Sequence, residues 1–398
     1  EDRPWETPKM SSESTSKPTE KTEAKAQQRI QIFGSVRMVT DKPAVDEPEA
    51  GSTEKNYVLR LSDEATGLNL PQIQPTRGGI KKGRGRATTV RKQAELKFAP
   101  NIPEIDLTNE RLREIPSGIS GLQKLSKLTL RTNAIEKISH LKEMKSLTDL
   151  DLYENQISRI EGLDDCPVLK SLDLSFNQIR KMENLSKLSN SLTHLYLIQN
   201  KITKIEGLEN LQGLQLLEMG SNRLRAIENI EHLQNLTELF VGRNKITDLK
   251  GLQGLKKLSK LSMQTNRVVT VGPALSGMVS LKEIYLSHNG ILKIEGFETL
   301  VNLEVLDLGG NRIKKLENLE TLVELRELWL NNNFLTDFKD LSCIKSKKLN
   351  TIYLEQNPLS KDSEYEKKVL SALPSVRQLD ADVYEDPSDT KENAPNSS

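Results

Sequence analysis

The sequence predicts an α/β solenoid: a horseshoe of about 11–12 stacked repeats of 22 residues, with a parallel β-sheet on its concave face and a cap at its carboxyl end. Three observations predict it. An asparagine recurs at Asn133, Asn155, Asn177, Asn200, Asn222, Asn244, Asn266, Asn289, Asn311, Asn333 and Asn357, with gaps of 22 to 24 residues. Each asparagine closes a frame L-x-x-L-x-L-x-x-N, plain in Leu125, Leu128, Leu130 and Asn133 and again in Leu147, Leu150, Leu152 and Asn155. Most frames continue into x-I-x-x-I, as at Ile135 and Ile138 or Ile157 and Ile160. Such in-phase copies mark a unit that cannot bury its apolar face alone and must stack on its neighbours.

Each element follows from the spacing. In L-x-L the two leucines point to one face of a strand and the middle residue to the other. The asparagine must turn the chain while staying inside, where its amide offers a donor and an acceptor to backbone groups that water cannot reach. Asn133 to Asn357 are therefore read as scaffold, stacked in a ladder. This is the leucine-rich-repeat signature, a short strand plus a short return segment in a curved stack.

Composition sets the organisation outside the repeats. Residues 1–100 form a low-complexity tail: residues 6–28 are rich in Ser, Thr, Lys, Glu and Pro, a composition that reads as disorder. Two apolar patches, Ile30 to Val39 and Tyr57 to Leu61, interrupt it. Residues 77–97 carry Arg77, Lys81, Lys82, Arg84, Arg86, Arg91, Lys92 and Lys97 against the single acid Glu95. A solvated linker, a nuclear-import signal and a nucleic-acid arm all fit that run, the last least well because no stacking aromatic lies within it. Ile102, Ile105, Leu107, Leu112 and Ile115 resemble a first repeat without its asparagine, so the solenoid is expected over 101–357. Residues 358–384 are expected to cap it, with Val369, Leu370 and Leu373 on a short helix covering the last strand. Residues 385–398 are polar and expected to fray.

Charge and cysteine usage exclude several classes. A net charge of +1 gives no global field for nucleic acid or membrane. No run of 18 apolar residues is present, so no membrane-spanning helix is expected. Cys166 and Cys343 lie in distant repeats and cannot build a disulfide-closed cap, which points to a reducing compartment. No Cys/His cluster has metal spacing, and no nucleophile elbow or phosphate-cradling glycine loop is found. Asp151 and Asp173 fall on neighbouring strands, but an open sheet gives a carboxylate pair no water-excluding pocket. No catalytic residue, cofactor, metal or small-molecule substrate is expected.

The message lies in the middle residues of L-x-L: Thr129, Asp151, Asp173, Tyr196, Glu218, Phe240, Ser262, Tyr285, Asp307, Trp329 and Tyr353. Five of these eleven are aromatic, although aromatics make up 4% of the chain, and four more are acidic. Aromatics on an open sheet need covering, and aromatic anchors amid one sign of charge describe a protein-binding surface for a basic partner. Two residues earlier, Asp149, Glu238, Glu283 and Glu327 add acid, while Lys127 and Lys260 break the trend. The candidate partner-binding set is Asp151, Asp173, Tyr196, Glu218, Phe240, Tyr285, Asp307, Glu327, Trp329 and Tyr353. Two rival readings remain: a cytoskeletal or ciliary repeat scaffold, and a ribonucleoprotein component using the basic run.

Several stretches carry a closer resemblance. They include Leu217 to Arg223, Ala226 to Ile230, Tyr285 to Gly290 and Leu373 to Gln378, together with the I-x-x-I-E-G/N-L spacing at Ile202 to Leu208 and Ile313 to Leu319. Residues 122–384 resemble the leucine-rich-repeat regulatory subunits of protein phosphatase 1. The resemblance implies a non-catalytic subunit, found in nucleus and cytoplasm, that grips the phosphatase catalytic subunit through an acidic and aromatic concave stripe. It also implies a role in maturation, inhibition or mitotic control of that enzyme. The matching positions are Asp173, Glu218, Phe240, Asp307, Glu327, Trp329 and Tyr353, with Tyr196 where the family tends to carry Phe. The short basic-Val-x-Phe peptide used by many phosphatase-binding subunits has only a poor counterpart, Leu96-Lys97-Phe98.

Overall fold

A three-residue apolar period builds each turn. Ile135, Ile138, Leu141, Met144 and Leu147 fall three apart and are all buried. That period suits tight or extended segments better than the 3.6-residue α-helix. In the computed structural model, which describes residues 58–60 and 96–384, the return segments are accordingly turns and short 3-10 stretches such as Ser117–Ile119, Ser186–Leu188 and Phe338–Cys343. Contacts divide the chain into two units. Glu1–Lys55 lies outside the described residues, and the fold belongs to Asn56–Ser398.

The strands form one 15-stranded sheet in chain order. They are β1 Val58–Arg60, β2 Glu104–Asp106, β3 Lys127–Thr129, β4 Asp149–Asp151, β5 Ser171–Asp173, β6 His194–Tyr196, β7 Leu216–Glu218 and β8 Glu238–Phe240. β9 Lys260–Ser262, β10 Glu283–Tyr285, β11 Val305–Asp307, β12 Glu327–Trp329, β13 Thr351–Tyr353, β14 Gln378–Leu379 and β15 Asp382–Val383 complete it. Every pairing is parallel except the last, β14 with β15. Consecutive turns keep one register, with Leu150 beside Leu128 and Leu172. The leucines and isoleucines of all turns thereby join one continuous core.

The asparagine ladder is present, but its rungs are amide-to-backbone bonds. Asn222 is typical: its Oδ1 accepts from Ile202 N at 3.0 Å, and its Nδ2 donates to Leu197 O at 2.8 Å and Met219 O at 3.1 Å. Each amide thus ties its own turn to the preceding one. The residue before each asparagine is left-handed, with φ between 53° and 59° at non-glycine positions such as Thr132, Ser221 and Gln356. Gly310 alone in that series has no side chain, and a Cβ there would meet His288 Nδ1 at 2.7 Å.

Both ends differ from the expectation in an instructive way. At the amino end, Val58–Arg60, inside the apolar patch Tyr57 to Leu61 that left a strand or a docking peptide open, pairs in parallel with Glu104–Asp106, so the sheet continues past the asparagine-free repeat. Phe98 packs against the core and the Leu96 carbonyl lies where a Gly118 Cβ would sit, so Leu96-Lys97-Phe98 is part of the solenoid's end. At the carboxyl end the expected helix exists, α1 Tyr365–Ala372, with Val369 buried on it and Leu373, expected on the helix, buried just past its end as the C-cap. The sheet edge itself is covered by the hairpin β14–β15. Asp380 finishes the closure. In regular turns the next strand's carbonyls accept, as Tyr353 O does from Leu330 N. After the last turn, Asp380 Oδ1 accepts from Leu354 N at 2.7 Å and Glu355 N at 2.8 Å, and Tyr365 holds its other oxygen at 2.7 Å. One carboxylate takes the place of the carbonyls that a longer β14 would offer. The basic run, apart from its last two residues, and residues 385–398 lie outside the described residues.

Candidate functional site

The strand register brings the expected residues together. Thr129, Asp151, Asp173, Tyr196, Glu218, Phe240, Ser262, Tyr285, Asp307, Trp329 and Tyr353 stand opposite one another on successive strands, on the face away from the leucines. Glu327 lies on that face too, two residues before Trp329 and in the adjacent row with Glu283 and Val305. Neighbouring rungs are about 4.8 Å apart, so flanking side chains close over one another.

Exposure sorts the row. Phe240 is only 7% exposed, although it stays outside the leucine core, and Asp307 is 3% exposed. In the chain alone Phe240 is therefore a floor beneath its neighbours, and the expectation of a protruding apolar anchor there is corrected. Asp151, Asp173, Tyr196, Glu218, Tyr285, Glu327, Trp329 and Tyr353 are half-buried. Trp329 and Tyr353 pack ring to ring, with centroids 5.1 Å apart. The Trp329 indole N–H is buried with no acceptor among the described residues. Gln378 of the cap donates to the Tyr353 hydroxyl at 2.7 Å and fixes that ring.

The acids have a second, local task. Asp151 Oδ1 accepts from Tyr153 N at 3.1 Å, Asp173 Oδ1 from Ser175 N at 2.8 Å, Glu218 Oε1 from Gly220 N at 3.1 Å and Asp307 Oδ1 from Gly309 N at 3.0 Å. Each stabilises the exit from its strand. Burial outweighs those bonds: it pushes the Glu218 carboxyl up to about 8, and burial together with the charge of Asp173 pushes Asp151 up to about 6. Burial raises Asp173 and Asp307 as well.

A pH dependence with a definite sign follows. Glu218 titrates higher in the folded chain than its ordinary 4.5, so folding favours its protonated form. Its contribution is whole below about pH 4.5 and is lost as pH rises through about 8. Stability is expected to fall across that window, and Glu218→Gln to flatten the fall; thermal melts at pH 5 and pH 8 that shift alike in both proteins would exclude this account.

Sequence reasoning missed a third row, the residue following each L-x-L. Arg131 lies 4.5 Å from the Tyr153 ring centroid and 3.2 Å from the Asp151 carboxylate, and the Tyr153 and Phe176 rings are 4.8 Å apart. The signal was available, because strand alternation continues one residue past the second leucine. Lys260 is also better placed than a break in the trend: its ammonium pairs with Glu283 at 2.6 Å and sits 5.5 Å from the Tyr285 ring, while Tyr285 donates to Glu283 at 2.9 Å. Tyr285 is thus held from within the chain.

Chemically, the face offers carboxylates and an aromatic shelf. No group of His, Cys, Asp and Glu with metal-holding geometry occurs among the described residues. Burial pushes the Cys166 thiol up to about 12 and the Cys343 thiol up to about 11, so neither is a nucleophile near neutral pH.

Comparison with known proteins agrees with the repeat reading. Models of "Leucine-rich repeat" and "Leucine Rich repeats (2 copies)" match residues 277–388 and 145–187. An internalin of Listeria monocytogenes superposes with TM-score 0.57 at 26% identity, covering 71% of this chain and 87% of that one. A leucine-rich-repeat protein of Leptospira interrogans superposes with TM-score 0.55 at 24% identity over 70% of this chain and 83% of its own, a likeness of fold alone. The fold is a leucine-rich-repeat solenoid. Short stretches also match protein phosphatase 1 regulatory subunit 7: 54% identity over 48 residues of the Homo sapiens protein and 58% over 43 residues of the Danio rerio protein. Those matches span 12% and 11% of this leucine-rich-repeat chain, and 13% and 12% of the relatives' lengths.

Proposed function

We propose that this protein is a non-catalytic regulatory subunit of protein phosphatase 1 that binds the phosphatase catalytic subunit through the open face of its sheet. The observation that carries the reading is the unbroken row from Asp151 to Tyr353, where half-buried carboxylates lead into the Trp329–Tyr353 shelf. The local match to regulatory subunit 7 supports this choice of partner. A basic partner surface compensates the Glu218 carboxyl, which burial pushes up to about 8. Asp151, Asp173, Glu218 and Glu327 meet the partner's basic groups; Trp329, Tyr353 and Tyr196 supply apolar contact. Phe240 and Asp307 support the face from beneath. Nucleus and cytoplasm are the proposed locations.

The reading is tested by mixing the full chain with purified phosphatase 1 catalytic subunit. A stable 1:1 complex on gel filtration is expected. Partnering ionises Glu218, so binding releases protons and tightens as pH rises from 6 to 8. Co-purification of cytoskeletal proteins without any phosphatase would favour a structural scaffold instead.

A further inference from the structure

The flank beyond the asparagine turns carries a pattern that the open face does not use. Ten turns, those of Asn133 to Asn333, place 30 residues at the first, third and fourth positions after the asparagine; 14 are Lys or Arg and three are acids. The excess is concentrated on one side of a chain whose net charge is only +1. Backbone bonds hold these positions side by side: Lys245 N donates to Leu224 O, Arg267 N to Ile246 O, and Arg312 N to Ile291 O, at 2.8, 2.8 and 2.9 Å. Cations therefore line up about 4.8 Å apart per turn.

Part of the ridge is internally neutralised. At the fourth position Arg159 pairs with Glu183 at 3.0 Å and Lys315 with Glu317 at 3.6 Å. The first and third positions are different: Arg223, Arg225, Lys245, Arg267, Arg312 and Lys314 are exposed and engage no acid among the described residues. An apolar saddle interrupts them. Val269 is 47% and Leu292 is 48% exposed, on adjacent turns, with Gly290 between them and Leu292 N bonded to Val269 O at 3.3 Å. A Gly290 Cβ would lie 3.6 Å from Val269 Cγ2, so the saddle floor is open for want of a side chain.

We propose that this flank docks an extended acidic peptide segment of a partner protein, its carboxylates on Arg267, Arg312 and Lys314 and an apolar side chain seated between Val269 and Leu292. The pairing of unengaged cations with exposed aliphatics decides the class of ligand. Phosphates alone gain nothing from Val269 and Leu292, and one ring, Phe334 at the ridge's end, is no stacking platform for bases. A membrane surface requires a broad apolar face rather than two aliphatic residues in a cationic row. In an extended peptide, alternate side chains share a face about 6.7 Å apart, a mismatch with the turn spacing that long Lys and Arg side chains absorb. The surface is separate from the open face, so the inference stands whether or not the phosphatase reading holds.

The test uses the full chain and fluorescence anisotropy with four probes. They are a labelled 12-residue Glu-rich peptide with a central Leu-Leu pair, the same length of Glu alone, a 12-nucleotide oligo(dT), and vesicles containing phosphatidylserine. The Glu/Leu peptide is expected to bind best, about tenfold tighter than Glu alone, with affinity falling as salt rises. Combined R267E, R312E and K314E should abolish that binding, and Val269→Ser with Leu292→Ser should remove the advantage of the leucines. Reversing two lysines on another row, Lys142→Glu and Lys145→Glu, should leave it within twofold. All of these positions are exposed, and melting temperatures verify that the variants fold. Equal binding of Glu alone or oligo(dT), preferential vesicle binding, or retention of peptide binding by the triple reversal would each overturn the proposal.

Discussion

Replacing Trp329 with alanine is expected to weaken binding of the phosphatase catalytic subunit by about 2 kcal/mol or more, roughly 30-fold, while the fold persists. The indole is half-buried, packs on Tyr353 at 5.1 Å and carries an N–H with no acceptor among the described residues. Truncation therefore removes apolar contact area and the ring that packs on Tyr353. Tyr353 stays in place because Gln378 holds its hydroxyl from the cap. Trp329→Phe keeps a smaller aromatic ring and loses the N–H and part of the indole's area, so it should fall between wild type and alanine. Calorimetric titration measures the affinities and far-UV circular dichroism the fold. Wild-type affinity in the alanine variant would remove the basis for placing the partner on this face.

The second large effect is structural. Asn222→Ala is expected to cost about 3 kcal/mol or more of stability, because several buried backbone groups lose their partner at once. The amide satisfies Ile202 N, Leu197 O and Met219 O, and reaches Gly220 O at 3.2 Å, in a setting closed to water. Asn222→Asp keeps the acceptor for Ile202 N but loses the donors and brings a charge inside, so it should be at least as damaging. The half-buried Asn133, in the first regular turn, should cost less when replaced. Urea unfolding monitors both. A loss within about 0.5 kcal/mol at Asn222, the range of ordinary surface changes, would show that the ladder does not hold the turns together.

Much of the molecule is legible from residue spacing because the repeat is local. Leu128 and Leu150 have to share a face once a 22-residue period is recognised, and the middle residues of L-x-L follow onto the opposite one. The ladder amides are legible for the same reason, although their choice of backbone over one another depends on distances between turns. Alternation also pointed to Tyr153 and Arg131 on the open face, a consequence left unread. The helix of the cap could be seen in Val369 and Leu373. The hairpin could not, and neither could Asp380, whose carboxylate accepts in place of backbone carbonyls from groups 25 and 26 residues away in the chain. No local pattern distinguishes that aspartate from an exposed one.

Sequence by itself determined the solenoid, the identity of its core and the membership of the two side-chain rows on the open face, because each depends on a period no longer than one turn. Tertiary structure decided how those rows behave: which carboxyls burial pushes up, that Phe240 and Asp307 sink while Trp329 stays half-exposed, that Lys260 holds Tyr285, and how the last strand ends. These properties come from the packing of side chains contributed by different turns, about 22 residues apart in the chain and about 4.8 Å apart in space. Crowding at that distance sets exposure and charge, and composition along the chain does not record it.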